Sequence, residues 1–184
     1  MVKKTFFSIL LAGLSLSVFA QDRIPVELKD TQIYINILDP GVSWEKKVAD
    51  AQSVAFGFSL TTIYDEDTNP FSDDGGVSWN PLITGEFRNF YPRKRVKKDL
   101  NPNSGNYVAV RAGYYFGSIV DNVDFGTTEL SKSFFLGPVW GIQRNYQSGI
   151  HFGFSLGAGI ATGSHTDLRL TGIGQLQLGF AIGG

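Results

Sequence analysis

Ser164, His165 and Asp167 stand close together, and a hydroxyl, an imidazole and a carboxylate are the parts from which a nucleophile, its base and an orienting group are built. Closeness in sequence does not make them act. The three must converge in hydrogen-bond geometry, and a polar loop gathers such residues without it, so no catalytic role is assigned to them. Asp65, Glu66, Asp67, Asp73 and Asp74 offer the hard oxygens that calcium takes. A calcium loop wants Gly at its sixth position and Glu at its twelfth; counted from Asp65, the chain has Pro70 and Gly76 there. That segment reads as a solvated acidic loop, and no metal is assigned. Gly157-Ala158-Gly159-Ile160-Ala161-Thr162-Gly163 resembles a phosphate loop only in its glycines. The spacing is too long for a dinucleotide fingerprint and no helix follows, so no cofactor is expected. His151 alternates with small residues and reads as a hydrogen-bonded interior filler.

A second set of charges is more informative. Glu45 and Lys47 are two apart, Glu86 and Arg88 are two apart, and Arg111 interrupts an apolar stretch. In a strand, residues two apart share a face. Each of these charges therefore lies opposite an apolar face, and the mixture of signs permits pairing.

The elements that must position them are strands. Segments 31–38, 42–49, 53–64, 81–91, 107–119, 134–144, 150–162 and 172–182 alternate large apolar with small or polar residues, the period-two signal of a strand with one greasy face. In 150–162, Ile150, Phe152, Phe154, Leu156, Ala158 and Ile160 fall on one side; His151, Gly153, Ser155, Gly157, Gly159 and Ala161 fall on the other. Val54, Phe56, Phe58 and Leu60, then Val108, Val110, Ala112, Tyr114 and Phe116, then Leu176, Leu178, Phe180 and Ile182 make further apolar faces. Eight strands are expected to form an antiparallel up-and-down transmembrane β-barrel, with apolar faces toward lipid. The interior of such a barrel is just wide enough for side chains to fill. Glu45, Lys47, Glu86, Arg88 and Arg111 are expected there as an ion-pair network, making a plug rather than a pore.

An even strand count places both ends of the barrel chain on one side, the periplasmic side. Connections 49–52 and 145–149 then become short periplasmic turns, and 65–80, 120–133 and 163–171 become outer loops. Two connections fit less well. The turn at Asp39-Pro40-Gly41 is short for an outer loop, and 92–106, with Arg93, Lys94, Arg95, Lys97 and Lys98, is long for a periplasmic turn. That basic run suits anionic headgroups, where each cation contributes about 1 kcal/mol. Nucleic acid is not an expected partner.

Residues 1–20 combine Lys3 and Lys4, an apolar run from Phe6 to Leu16 and Ser17-Val18-Phe19-Ala20, the pattern of a cleavable secretory signal. The expected organisation is a signal peptide over 1–20 and an outer-membrane barrel domain over 21–184. Loss of Lys3 and Lys4 would take the formal charge from −1 to about −3. The chain has no Cys, which excludes a disulfide scaffold and a thiolate metal site. It has 22 Gly, 15 Phe, 7 Tyr and 3 Trp, rich in residues that let small barrels curve and that line membrane interfaces.

Asn36–Leu38 followed by Val42-Ser43-Trp44-Glu45-Lys46, then Ser59-Leu60, then Phe87-Arg88-Asn89-Phe90-Tyr91-Pro92 resembles the small outer-membrane β-barrel proteins of Bacteroidetes, which share the OmpA/OmpX-type architecture. In that family a Tyr-Glu-Arg closes the opening hairpin and an Arg-x-aromatic-Tyr lies on a middle strand. Trp44-Glu45-Lys46 departs from the first; Arg88-Asn89-Phe90-Tyr91 keeps the second. Gly174–Phe180 looks like the terminal-strand signal read by the barrel-assembly machinery, with Ala181-Ile182-Gly183-Gly184 following it. The resemblance implies a location in the outer membrane, with membrane lipid and lipopolysaccharide as neighbours. The expected role is non-enzymatic, structural or surface-interacting through the outer loops. The alternatives are a lipid-A-modifying barrel enzyme and a soluble exported β-barrel that binds an apolar ligand. A soluble binder would hold its aromatics inside and the Glu86/Arg88 face outside.

Overall fold

The computed structural model describes residues 26–63, 78–91, 100–117, 132–163 and 166–182. The segment 1–20 expected to be a signal, the acidic residues 65–74, the basic run 93–98, Ser164 and His165 lie outside the described residues, as does the side chain of Asp167. Eight strands run in order: β1 Thr31–Leu38, β2 Gly41–Ala49, β3 Gln52–Ile63, β4 Ser78–Tyr91, β5 Gly105–Tyr115, β6 Ser133–Asn145, β7 Ile150–Gly163 and β8 Thr166–Ile182. Each pairs antiparallel with the next, and β8 pairs back onto β1 to close a barrel. No helix among the described residues is long and apolar enough to cross a membrane.

The period-two alternation explains the strands and sets their faces. Along β7, Ile150, Phe154, Leu156, Ala158 and Ile160 point outward, while His151, Gly153, Ser155 and Ala161 are buried. Two boundaries differ from the expected ones. β5 stops at Tyr115 rather than running to 119, and Gly117 adopts a φ of 91°, a left-handed conformation that a ladder does not continue through. β8 starts at Thr166 rather than 172, so the expected outer loop 163–171 is mostly strand. Leu168 and Leu170 prolong the alternation there, and Thr171, Leu170 and Arg169 pair with Gly159, Ile160 and Ala161 of β7. That stabilisation comes from the neighbouring strand and cannot be read from the segment alone.

The stagger of the barrel is large. Paired residues lead from Thr166 through Gly163, Ser133, Tyr115, Leu82, Ser59, Gly41 and Asn36 back to β8 at Gly179. A stagger exceeding the strand number tilts the strands steeply and widens the interior. The room is taken partly by aromatic rings laid over glycines: Phe135 covers Gly113 and Tyr107 covers Gly141, each directly across the ladder. A Cβ at either glycine would overlap the ring.

Over the described residues the wall is low at the β1–β2 hairpin. β1 pairs with β8 only from Ile33 to Leu38, against Ile182 to Leu178, and β2 begins at Gly41 opposite Ser59. Among the described residues, 166–177 of β8 and 61–63 of β3 therefore continue beyond the β1–β2 hairpin, each in a ladder on its other side only. The hairpin tip is fastened to both edges. Leu60 N donates to Pro40 O at 2.8 Å, and Gln175 Nε2 donates to Asp39 Oδ2 at 2.8 Å. The two strands of this hairpin are what separates β3 from β8 around the ring.

Candidate functional site

The barrel interior has two halves. The half toward the β2–β3 and β6–β7 turns is filled. Glu45, at 0 % exposure, receives Ser53 Oγ on Oε1 at 2.5 Å. Its Oε2 accepts from Tyr34 at 2.7 Å, Gln143 at 2.9 Å and Asn103 at 3.0 Å. Glu86 accepts Arg88 Nε on Oε2 at 2.8 Å and Arg111 Nε on Oε1 at 2.7 Å. Arg88 reaches back to Glu45 at 3.5 Å, donates to Gln143 Oε1 at 2.8 Å and lies over the Tyr107 ring at 4.9 Å. Two carboxylates and two guanidinium groups thus cancel in charge and satisfy one another. Without such pairing, burying these ions would cost several kcal/mol each.

The structure brings together four of the five charges expected in this network. Lys47 is not among them: its Nζ lies 3.6 Å from Asp50 at the β2–β3 turn. It shares the inward parity of Glu45 but sits so near the strand end that its long stem reaches the rim, where an ammonium keeps its water.

Several members carried no signal as charges. Tyr34 and Gln143 are polar at inward positions, and the parity of Gln32, Tyr34 and Asn36 on β1 would have found the first. Asn103 is different. It comes from the connection between β4 and β5, at a φ of 59°, and folds into the barrel. Its N–H donates to Glu27 O at 2.7 Å, and its Oδ1 accepts Lys29 N at 2.7 Å. Asn145 Nδ2 donates to Pro102 O at 3.0 Å. Beside it, Val26 and Leu28 join Phe90, Tyr107 and Ala109 in the buried apolar cluster. The connection that looked too long for a turn is, over its described residues 100–104, a stopper for this end.

The other half holds a cavity of about 770 Å³. Thr84, Arg111, Ser155, Gln175 and Asp39 give it a polar floor, while Leu82, Phe135, Tyr115, Ala161 and Ile173 give it apolar walls. Its lining also includes Leu38, Leu60, Phe154, Leu156 and Leu176. Leu38, Phe154, Leu156 and Leu176 are outward-facing side chains. A lining drawn from both faces means that the space runs through the low place in the wall. Asp39, in the hairpin turn, has its carboxyl raised above the ordinary value by burial, against the opposing effect of Gln175.

His151 is 1 % exposed. Its Nδ1 lies 2.7 Å from Asn145 Oδ1, and its ring rests 4.1 Å from that of Tyr34. Both contacts are with residues of the filled half. No protein-family model, curated protein or solved structure matches this chain.

Proposed function

We propose that the chain is a non-enzymatic outer-membrane β-barrel of the OmpA/OmpX type, resembling the small Bacteroidetes barrels, whose role is structural or is exerted through its outer loops. One observation supports it most: the belt of side chains on the outside is apolar all round the ring. Ile33, Ile35, Phe56, Phe58, Ile83, Phe87, Val108, Val110, Leu136, Leu156, Leu176, Leu178 and Phe180 are all exposed outward, while Glu45, Glu86, Arg88 and Arg111 are within. Water would not favour so large an apolar surface; a bilayer does. The same arrangement argues against a soluble apolar-ligand carrier, which would reverse the faces. Where β8 closes onto β1, the ring also satisfies the backbone groups that hydrocarbon cannot.

Aromatics flank the belt as interfacial girdles do. Trp79, Phe116 and Phe134 lie toward one end; toward the other, exposed Trp140 donates Nε1 to Tyr91 OH at 2.7 Å. The filled half stands in the way of any solute path, so the barrel does not conduct. The test is reconstitution of the purified chain into phosphatidylcholine vesicles and planar bilayers. The expected result is carbonate-resistant insertion, heat-modifiable gel migration and no ion conductance. Failure to insert overturns the membrane reading, and steady conductance overturns the closed lumen.

A further inference from the structure

The cavity, the low wall and the unpaired edge of β8 coincide. In a membrane an unpaired strand edge leaves N–H and C=O groups without partners, at several kcal/mol for each group that hydrocarbon surrounds. The space against this edge is therefore one that something polar at one end and apolar at the other would fill to advantage. Gly172 and Gly174 lie on the outward face of β8 at this edge and leave it low, with nothing within 4 Å of the place a Cβ would take at Gly172. Inside, Ser155 is 2 % exposed and its Oγ has no hydrogen-bond partner among the described residues, although it lines the cavity. Buried hydroxyls are ordinarily satisfied, and here the open direction is the cavity.

Resting on the membrane reading, we infer that the cavity binds one single-chain amphiphile with a small, uncharged, hydroxyl-bearing head, admitted sideways through the gap between β3 and β8. The head sits on Ser155, Gln175 and Thr84. The chain passes over the glycine edge and lies along Leu38, Leu156 and Leu176 on the outer face. A volume of about 770 Å³ falls within the ~300–1,000 Å³ usual for small-molecule sites. The charges decide the head. Arg111 is committed to Glu86 by two contacts, at 2.6 and 2.7 Å, and Asp39 adds a carboxyl to the floor. Arg169 also lines the cavity, but it stands six residues along β8 from Gln175, about 20 Å at strand rise; a carboxylate or phosphate head beside Ser155 would meet Asp39 with no uncommitted Arg111 to offset it, whereas a glycerol hydroxyl can donate to or accept from Ser155.

The test is native mass spectrometry of the full chain refolded in detergent and incubated with 1-palmitoylglycerol or, separately, palmitate at pH 8. One palmitoylglycerol per barrel is expected, with palmitate retained less. Ser155→Val should lower retention about fivefold, the size of one lost hydrogen bond, and Ser155→Thr, which keeps the hydroxyl, should retain it. Gel migration reports whether each variant folds. No retained lipid, unsaturable retention, equal retention in Ser155→Val, or pairing of two barrels along the β8 edge in place of lipid would each overturn the inference. Insertion into vesicles is scored in parallel. A barrel that inserts but retains no lipid defeats this inference alone. One that binds palmitoylglycerol from water without inserting defeats the membrane reading and the sideways route with it.

Discussion

The two halves of this lumen are walled by the same eight strands and are built on opposite principles. Around Glu45, polar atoms are crowded until every charge has a partner, and a coil segment carrying Asn103 completes the set. Beyond Arg111 the wall is lower, polar and apolar side chains share the lining, and among the described residues Ser155 Oγ is left unmatched. The difference shows that one barrel can concentrate its buried polar bonding in one half and leave room in the other. A neutral, fully bonded network rigidifies its half, and the half without one is free to hold something else.

The largest test of that contrast is Arg88→Ala. It leaves Glu45 without a cation and Glu86 with Arg111 alone, and removing one partner of a buried pair costs about 3–5 kcal/mol. Urea unfolding in detergent should register that loss; a change under about 1 kcal/mol, the value of a solvated surface pair, would show that the filled half is wet and that the contrast is false. Phe154→Arg probes the outer wall beside the cavity and should cost roughly 2–4 kcal/mol if the residue lies near the bilayer centre. Unchanged stability in vesicles would place water, not lipid, against that face.

Asn103→Ala is expected to cost about 1–3 kcal/mol, because Glu45 and the Lys29 N–H each lose a partner in a buried site. Its unfolding midpoint should fall with the m-value unchanged. A neutral result would mean that the stopper is decorative. The finest effect concerns pH at the hairpin tip. Asp39 has a folded pKa above its unfolded one, so the folded form holds its proton longer. Stability is then greatest below the ordinary carboxylate range and falls as pH rises from there through the raised value. Asp39→Asn should remove that slope in an unfolding-versus-pH series, and persistence of the slope would assign it to another group.

Much of this was legible residue by residue. The pair Glu86 and Arg88 could be assigned inward because Ile83 and Phe87 flank them with the opposite parity, and local alternation survives folding unchanged. Lys47 has the same parity as Glu45 and still escaped the network, since parity says which face a side chain leaves from but not how far along the axis it starts. The extension of β8 to Thr166 was hidden for a similar reason: Gly172 and Gly174 stand at outward positions and Ile173 faces inward, which interrupts the alternation between Leu170 and Leu176, and the ladder to β7 carries the strand across the break. Nothing in the segment around Asn103 distinguishes a stopper from a loop, because its partners are more than 40 residues away in Glu45 and Lys29.

By itself, the sequence determined the eight alternating segments, which side of each is apolar, and which charges share the other side, because strand geometry fixes a period of two that depends on neighbours alone. Tertiary structure decided the stagger, and with it the width of the lumen, the height of the wall at Asp39-Pro40 and the division of the interior into a filled half and an open one. Those follow from how far each strand slides against the next, and sliding by two residues leaves every face as it was while moving every partner.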